Sequence, residues 1–147
     1  MRTITAYSGQ FVRLDERLRF WSFIGWCIAW LVVAWAMLDP SPPLIGAVSD
    51  KTIHFLSFCA VSFAAVAFCR SSVQLAMAGV VCAVAGVGFE IAQYFMPPRG
   101  FEWGDIAANL GGTVTGILLA ALALRGLRKL GWPTRRGLRG RPARSAV

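Results

Sequence analysis

The chain has 147 residues, 56% of them hydrophobic, with a mean hydropathy of +0.59. Only 15% are charged, yet the net charge is +8. A length of this order suits one domain, and greasy plus basic points to a membrane protein whose basic residues lie outside the hydrocarbon core. It argues against a nucleic-acid partner, because the basic residues sit in short flanks beside apolar runs of spanning length.

Residues 1–19 form a polar flank carrying Arg2, Arg13, Arg17 and Arg19. Residues 20–38 then run without a charge, close to the ~20 residues that an α-helix needs to cross a ~30 Å core. Ala34-Trp35-Ala36 matches the small-residue pattern of a signal-peptide cleavage site. The run is too long for a signal core and three more follow, so it is expected to be a retained first span. Asp39-Pro40-Ser41-Pro42-Pro43 stops the helix in a stiff loop, and Ser49 or Asp50 is placed to cap the next one. The second span is predicted over 52–69, interrupted by His54, and ends at the turn Arg70-Ser71-Ser72. The third covers 73–96, with Glu90 its one ionisable group, and ends at Pro97-Pro98. The fourth covers 106–124. The basic tail of 126–147 is rich in Gly, Pro and Arg and is expected to be disordered. Cys27, Cys59, Cys69 and Cys82 form no CxxC pair and read as small core hydrophobes. The expected fold is an all-α, integral-membrane four-helix bundle without repeats or a second domain.

Thirteen of the fifteen Lys and Arg residues fall in the N-terminal flank, the 70–72 turn and the tail; Lys51 and Arg99 are the other two. The positive-inside rule then predicts both termini in the cytoplasm, with the tail along anionic lipid. The unusual polar residues all fall on the outer side. Asp50 and Lys51 open span two, with His54 and Ser57 below. Glu90 and Gln93 lie near the end of span three, Glu90 about 9 Å in from Met96 at ~1.5 Å per residue. Arg99 and Glu102 occupy the following loop. Asp105 and Asn109 begin span four, whose same face continues as Gly112 and Gly116. Gly79, Ala83 and Gly86 lie below Glu90 on span three in the same way. Small residues at this spacing let helices approach closely in lipid. Spans two to four are therefore expected to pack tightly in the inner half and open into a polar pocket in the outer half, with span one bracing them.

Each of these residues has a plainer reading. Asp105 and Asp50 suit helix caps, Arg99 suits a snorkelling arginine, and the glycines are packing residues first. Glu90 resists such a reading. A carboxyl inside a span costs about 2.5–3.5 kcal/mol on insertion scales and normally faces a partner or water.

The ordered motifs D-K-x-x-H-F (Asp50–Phe55), E-x-x-Q (Glu90–Gln93) and R-x-x-E-x-x-D-x-x-x-N-x-x-G (Arg99–Gly112) resemble the VanZ-like family of small bacterial membrane proteins. The resemblance covers residues 20–125. Phe58 departs from it, standing where the family favours tyrosine. The resemblance implies four spans in the bacterial cell membrane. It suggests an envelope role, since the family takes its name from a protein linked to resistance to the lipoglycopeptide teicoplanin.

Several chemistries suit the cluster. As a binding module it would engage membrane lipid, a lipid-linked envelope precursor or a lipoglycopeptide through Asp50, Lys51, Gln93, Arg99, Glu102 and Asn109, with Lys51 and Arg99 receiving a phosphate or carboxylate. As an enzyme it would use His54, Glu90 and Asp105 in acid–base chemistry on such a substrate. One histidine with three carboxylates also has the composition of a Mn or Zn site. Its ligands would come from three helices, where spacing tests nothing, so no metal or other cofactor is assigned. A proton-coupled carrier would need more polar residues in the inner halves than Ser62, Gln74 and Thr115 supply, unless the chain forms homo-oligomers.

Overall fold

The computed structural model describes residues 3–39, 49–97 and 99–129, with side chains from residue 15 onward, Arg128 excepted. The proline-rich loop after Asp39 and the tail beyond Lys129 lie outside the described residues. Four α-helices and no strand occur among them: α1 Thr3–Leu38, α2 Asp50–Ala64, α3 Ser72–Tyr94 and α4 Trp103–Lys129. A short 3-10 turn, Ala65–Ala67, extends α2. Four segments are long and apolar enough to cross a membrane: Asp15–Leu38, Asp50–Ala67, Ser72–Tyr94 and Trp103–Leu127.

Local chemistry explains most boundaries. Ser49 caps α2 by accepting from Thr52 N–H, which settles the choice between Ser49 and Asp50. Ser71 caps α3 by accepting from Gln74 N–H. The helix α4 starts at Trp103, a turn earlier than the apolar run, so Asp105 lies within its first turn and is not its cap. The first helix runs back through most of the polar flank, which the apolar pattern did not mark.

Contacts between helix ends set the topology. Arg19 and Arg70 both engage Asp15, and Arg19 also donates to the Phe68 carbonyl, so the start of the Asp15–Leu38 segment of α1 lies beside the α2–α3 turn. At the other end Gln93 Nε2 donates to the Met37 carbonyl at 2.7 Å, and Arg99 Nε to the Asp39 carbonyl at 3.0 Å. Consecutive helices are antiparallel, with Arg19 and Arg70 at one end and the His54 cluster, together with Arg99, at the other. The first helix is more than a brace, since it takes a hydrogen bond from both α3 and the following loop. Trp26 Nε1 adds a third tie to the Val61 carbonyl at 2.8 Å, where α2 begins to tighten into its 3-10 turn.

The interior is layered. Ala65, Cys69, Leu75, Ala78 and Ala120 fill the arginine end. Phe58, Val61 and Cys82 pack with Trp26, Trp30 and Phe89 in the middle. Outward faces are apolar: Trp21, Leu31 and Trp35 on α1, Val73, Val84 and Ile91 on α3, and Val114, Leu118 and Leu122 on α4 are all exposed. Such a surface suits lipid, since the helices satisfy their own backbone groups.

The closest approach is between α2 and α4. A Cβ on Gly112 would overlap the Phe55 carbonyl and lie 3.0 Å from Cys59 N; one on Gly116 would overlap the Cys59 carbonyl and lie 2.8 Å from Ser62 Cβ. Backbone cannot yield as a side-chain tip can, so both positions require glycine. Gly112→Val or Gly116→Val is expected to destabilise the bundle by at least about 1–3 kcal/mol, read as a lowered melting temperature in detergent. Gly88→Ala, where nothing lies within 4 Å, is expected to leave it unchanged.

Candidate functional site

His54 is the centre of the polar end. It follows Ser49 by little more than one turn, and the face it shares with Phe58, Val61 and Ala65 is buried against α3 and α4. The glycine contacts below bring α4 close enough for Asn109 to reach it. His54 Nδ1 lies 3.1 Å from Asn109 Oδ1, while the Asn109 amide nitrogen donates to the Gly86 carbonyl at 3.4 Å. With the amide so oriented, Oδ1 accepts from Nδ1–H, and in the matching tautomer the lone pair lies on Nε2. Glu90 Oε1 is 3.6 Å from Nδ1, and Asp50 Oδ2 is 3.7 Å from Nε2.

The carboxylates differ in their support. Glu90 is fully buried; its Oε2 accepts from Glu102 N–H at 3.4 Å, and its Oε1 has no hydrogen-bond partner. Asp105 is 4% exposed, with Lys51 Nζ 3.6 Å from its Oδ1. Lys51 Nζ also donates to Glu102 Oε2 at 2.8 Å. A Cβ on Gly104 would sit 2.5 Å from Lys51 Cε, so the lysine stem crosses α4 where that helix has no side chain. Hydrogen bonding to Lys51 holds the Glu102 carboxyl below its ordinary range. That contribution is present above the ordinary carboxyl value and lost as pH falls through the lowered one. With both partners exposed, the pair shapes the mouth of the cluster more than it stabilises the fold.

The floor is tight. A Cβ on Gly86 would lie 3.0 Å from Asn109 Cβ and 3.1 Å from Phe58 Cε1. Phe58 is fully buried there, its ring 5.7 Å from Trp30 and 6.3 Å from Phe89. It thus divides polar cluster from aromatic layer without adding a hydroxyl.

The structure brings together Asp50, Lys51, His54, Glu90, Glu102, Asp105 and Asn109. Gln93 and Arg99 lie at the same end but turn toward α1, where they bond the Met37 and Asp39 carbonyls. The expected open pocket is instead a closed cluster at His54 and Glu90, which have no exposed surface; it reaches outward through Asp50, Lys51 and Glu102. Gly104 and the carbonyls of Met37 and Asp39 were not anticipated. A glycine in the first turn of α4 was the available signal for the lysine path; the carbonyls carry no sequence signal at all.

The family model described as VanZ/LLP1 matches residues 18–124. The chain belongs to the VanZ/LLP1 family. The match takes in α2, α3, most of α1 and α4, and every residue of the cluster, so this VanZ-like protein is a multi-pass membrane protein whose shared region contains its polar end. No curated protein and no solved structure matches the chain.

Asn109→Ala removes the partner of His54 Nδ1 and of the Gly86 carbonyl together. Leaving a buried polar group unsatisfied costs about 1–3 kcal/mol. The variant is therefore expected to melt well below wild type in detergent.

Proposed function

We propose that this VanZ-like protein sits in the bacterial cell membrane with its polar cluster in the outer half of the bilayer, and binds the head group of an envelope amphiphile there. The candidates are a membrane lipid, a lipid-linked precursor and a lipoglycopeptide, the last being the route to a role in glycopeptide resistance. One observation carries the reading: buried ionisable groups gather at the bundle end opposite most of the described arginines, Arg99 being the exception. Arg17, Arg19, Arg70 and Arg125 mark the other end, and the positive-inside rule assigns that end to the cytoplasm. Holding the helices together does not require such a cluster, because Gly112 and Gly116 already let α2 and α4 meet at backbone distance. Charged groups at membrane depth are costly and commonly mark function.

The bare Nε2 of His54 supports a second reading. Between Asp50 and Asp105 it is placed to take a proton from water or a hydroxyl, as a general base acting on an envelope lipid. The first reading needs only binding; the second needs turnover.

Native mass spectrometry of the purified protein, wild type beside His54→Ala/Glu90→Ala, separates these from a purely structural cluster. A specific amphiphile is expected on the wild type and absent from the variant. Altered envelope-lipid profiles in cells carrying the wild type would add turnover. The same nonspecific lipid on both proteins, with the variant only less stable, would overturn both readings.

A further inference from the structure

We infer that Asp50, His54 and Asp105 form a binding site for a divalent transition-metal ion, Zn2+ or Mn2+. One carboxylate oxygen from each aspartate and one ring nitrogen of His54 all lie within 4.8 Å of one another. Asp50 and His54 share a face of α2 at i and i+4, and Asp105 meets them from the first turn of α4. Two side chains come from one rigid helix and the third from a helix held against it by glycine contacts. The triad is therefore positioned by the fold itself.

A group of acidic residues alone would carry little. The decisive observation is His54, which is 0% exposed, with Nε2 lacking any hydrogen-bond partner among the described residues. Its proton is committed to the other nitrogen, because Asn109 Oδ1 accepts at 3.1 Å and the Asn109 amide is held by Gly86. The lone pair on Nε2 consequently faces Asp50 Oδ2 at 3.7 Å, acceptor against acceptor. Buried Asp105 Oδ1 likewise has no hydrogen bond. Three acceptors turned toward one another are stabilised by a cation between them.

The surroundings are those of a metal-bound histidine. Such a ring normally gives its remote N–H to an amide or carboxylate, which fixes tautomer and orientation. Asn109 Oδ1 takes that N–H here at 3.1 Å, and Glu90 Oε1 lies nearby at 3.6 Å without a hydrogen bond. Two carboxylates and a neutral imidazole carry two negative charges, matching a divalent ion. One nitrogen with two oxygens suits Zn2+ or Mn2+; Ca2+ prefers a shell of about six to eight oxygens. Asp50, 52% exposed, leaves the outer side open to water or an incoming oxygen ligand. Lys51 is the competing cation at Asp105, at 3.6 Å, but its closer partner is Glu102 and its side chain is 55% exposed, so it can withdraw without disturbing the fold. The inference rests on geometry alone and does not require the amphiphile.

The test uses full-length, tag-free protein in detergent, stripped with chelator and dialysed against Zn2+ or Mn2+, with bound metal measured by mass spectrometry. One ion per chain is expected. Asp50→Asn and His54→Gln should each weaken binding by at least ~10-fold. Asp50→Asn is the cleaner variant, because its side chain is half exposed and its metal-free melting should equal that of wild type. Glu16→Gln, at the far end, should bind as wild type does. Binding by Asp50→Asn at wild-type strength, or no ion on the wild type beyond that on His54→Gln, would overturn the site.

Discussion

The backbone contact between α2 and α4 is what the rest of the polar end depends on. Gly112 and Gly116 stand where a Cβ would strike the Phe55 and Cys59 carbonyls. Their bareness lets the two helices lie closer than side chains normally allow. The consequence appears a few residues up the same faces. Asn109 reaches His54, Asp105 faces Asp50 and Lys51, and Gly86 admits Asn109 and Phe58 from α3. Packing in the apolar half thus sets distances in the polar half. In lipid this is an efficient division, because helix association there rests on close contact and on interhelical hydrogen bonds, not on a hydrophobic drive.

The polar end has an uneven charge balance. Three carboxylates, Asp50, Glu90 and Asp105, surround one imidazole, and among the described residues only Lys51 brings a positive charge into direct contact with any of them. Arg99 is spent on the end of α1. A binding site built for an anionic head group alone would have the opposite sign. The balance favours a metal ion close to His54, either alone or carrying an oxygen ligand of its own. The last possibility joins the cation site to the proposed amphiphile, since a phosphate or carboxylate could complete the shell of an ion held by Asp50 and Asp105.

Much of this was legible in the sequence. Uninterrupted apolar runs marked the four spans, and three short motifs marked the polar cluster, because charges in spans are rare enough for each to stand out. Helical periodicity also placed Asp105, Asn109, Gly112 and Gly116 on one face. What stayed hidden has a common cause. Helix ends depend on caps and on neighbours more than on hydropathy, so α1 extended into the polar flank and α4 began before its apolar run. Main-chain acceptors are identical in every residue. The bonds from Gln93 to Met37 and from Arg99 to Asp39 therefore could not be read. Distinguishing a pocket from a closed cluster needed the third dimension, because exposure of His54 and Glu90 depends on three helices at once.

The central claim is that His54 is a buried hub with its proton on Nδ1 and a bare Nε2 facing the aspartates. It is the sole histidine in the chain, so 15N-histidine labelling reports on it alone. The most direct measurement is the 15N spectrum of metal-free protein in detergent at neutral pH. The account predicts one protonated nitrogen, coupled to a slowly exchanging proton, and one unprotonated nitrogen. A proton on Nε2, or an averaged signal typical of a solvent-exposed ring, would contradict it.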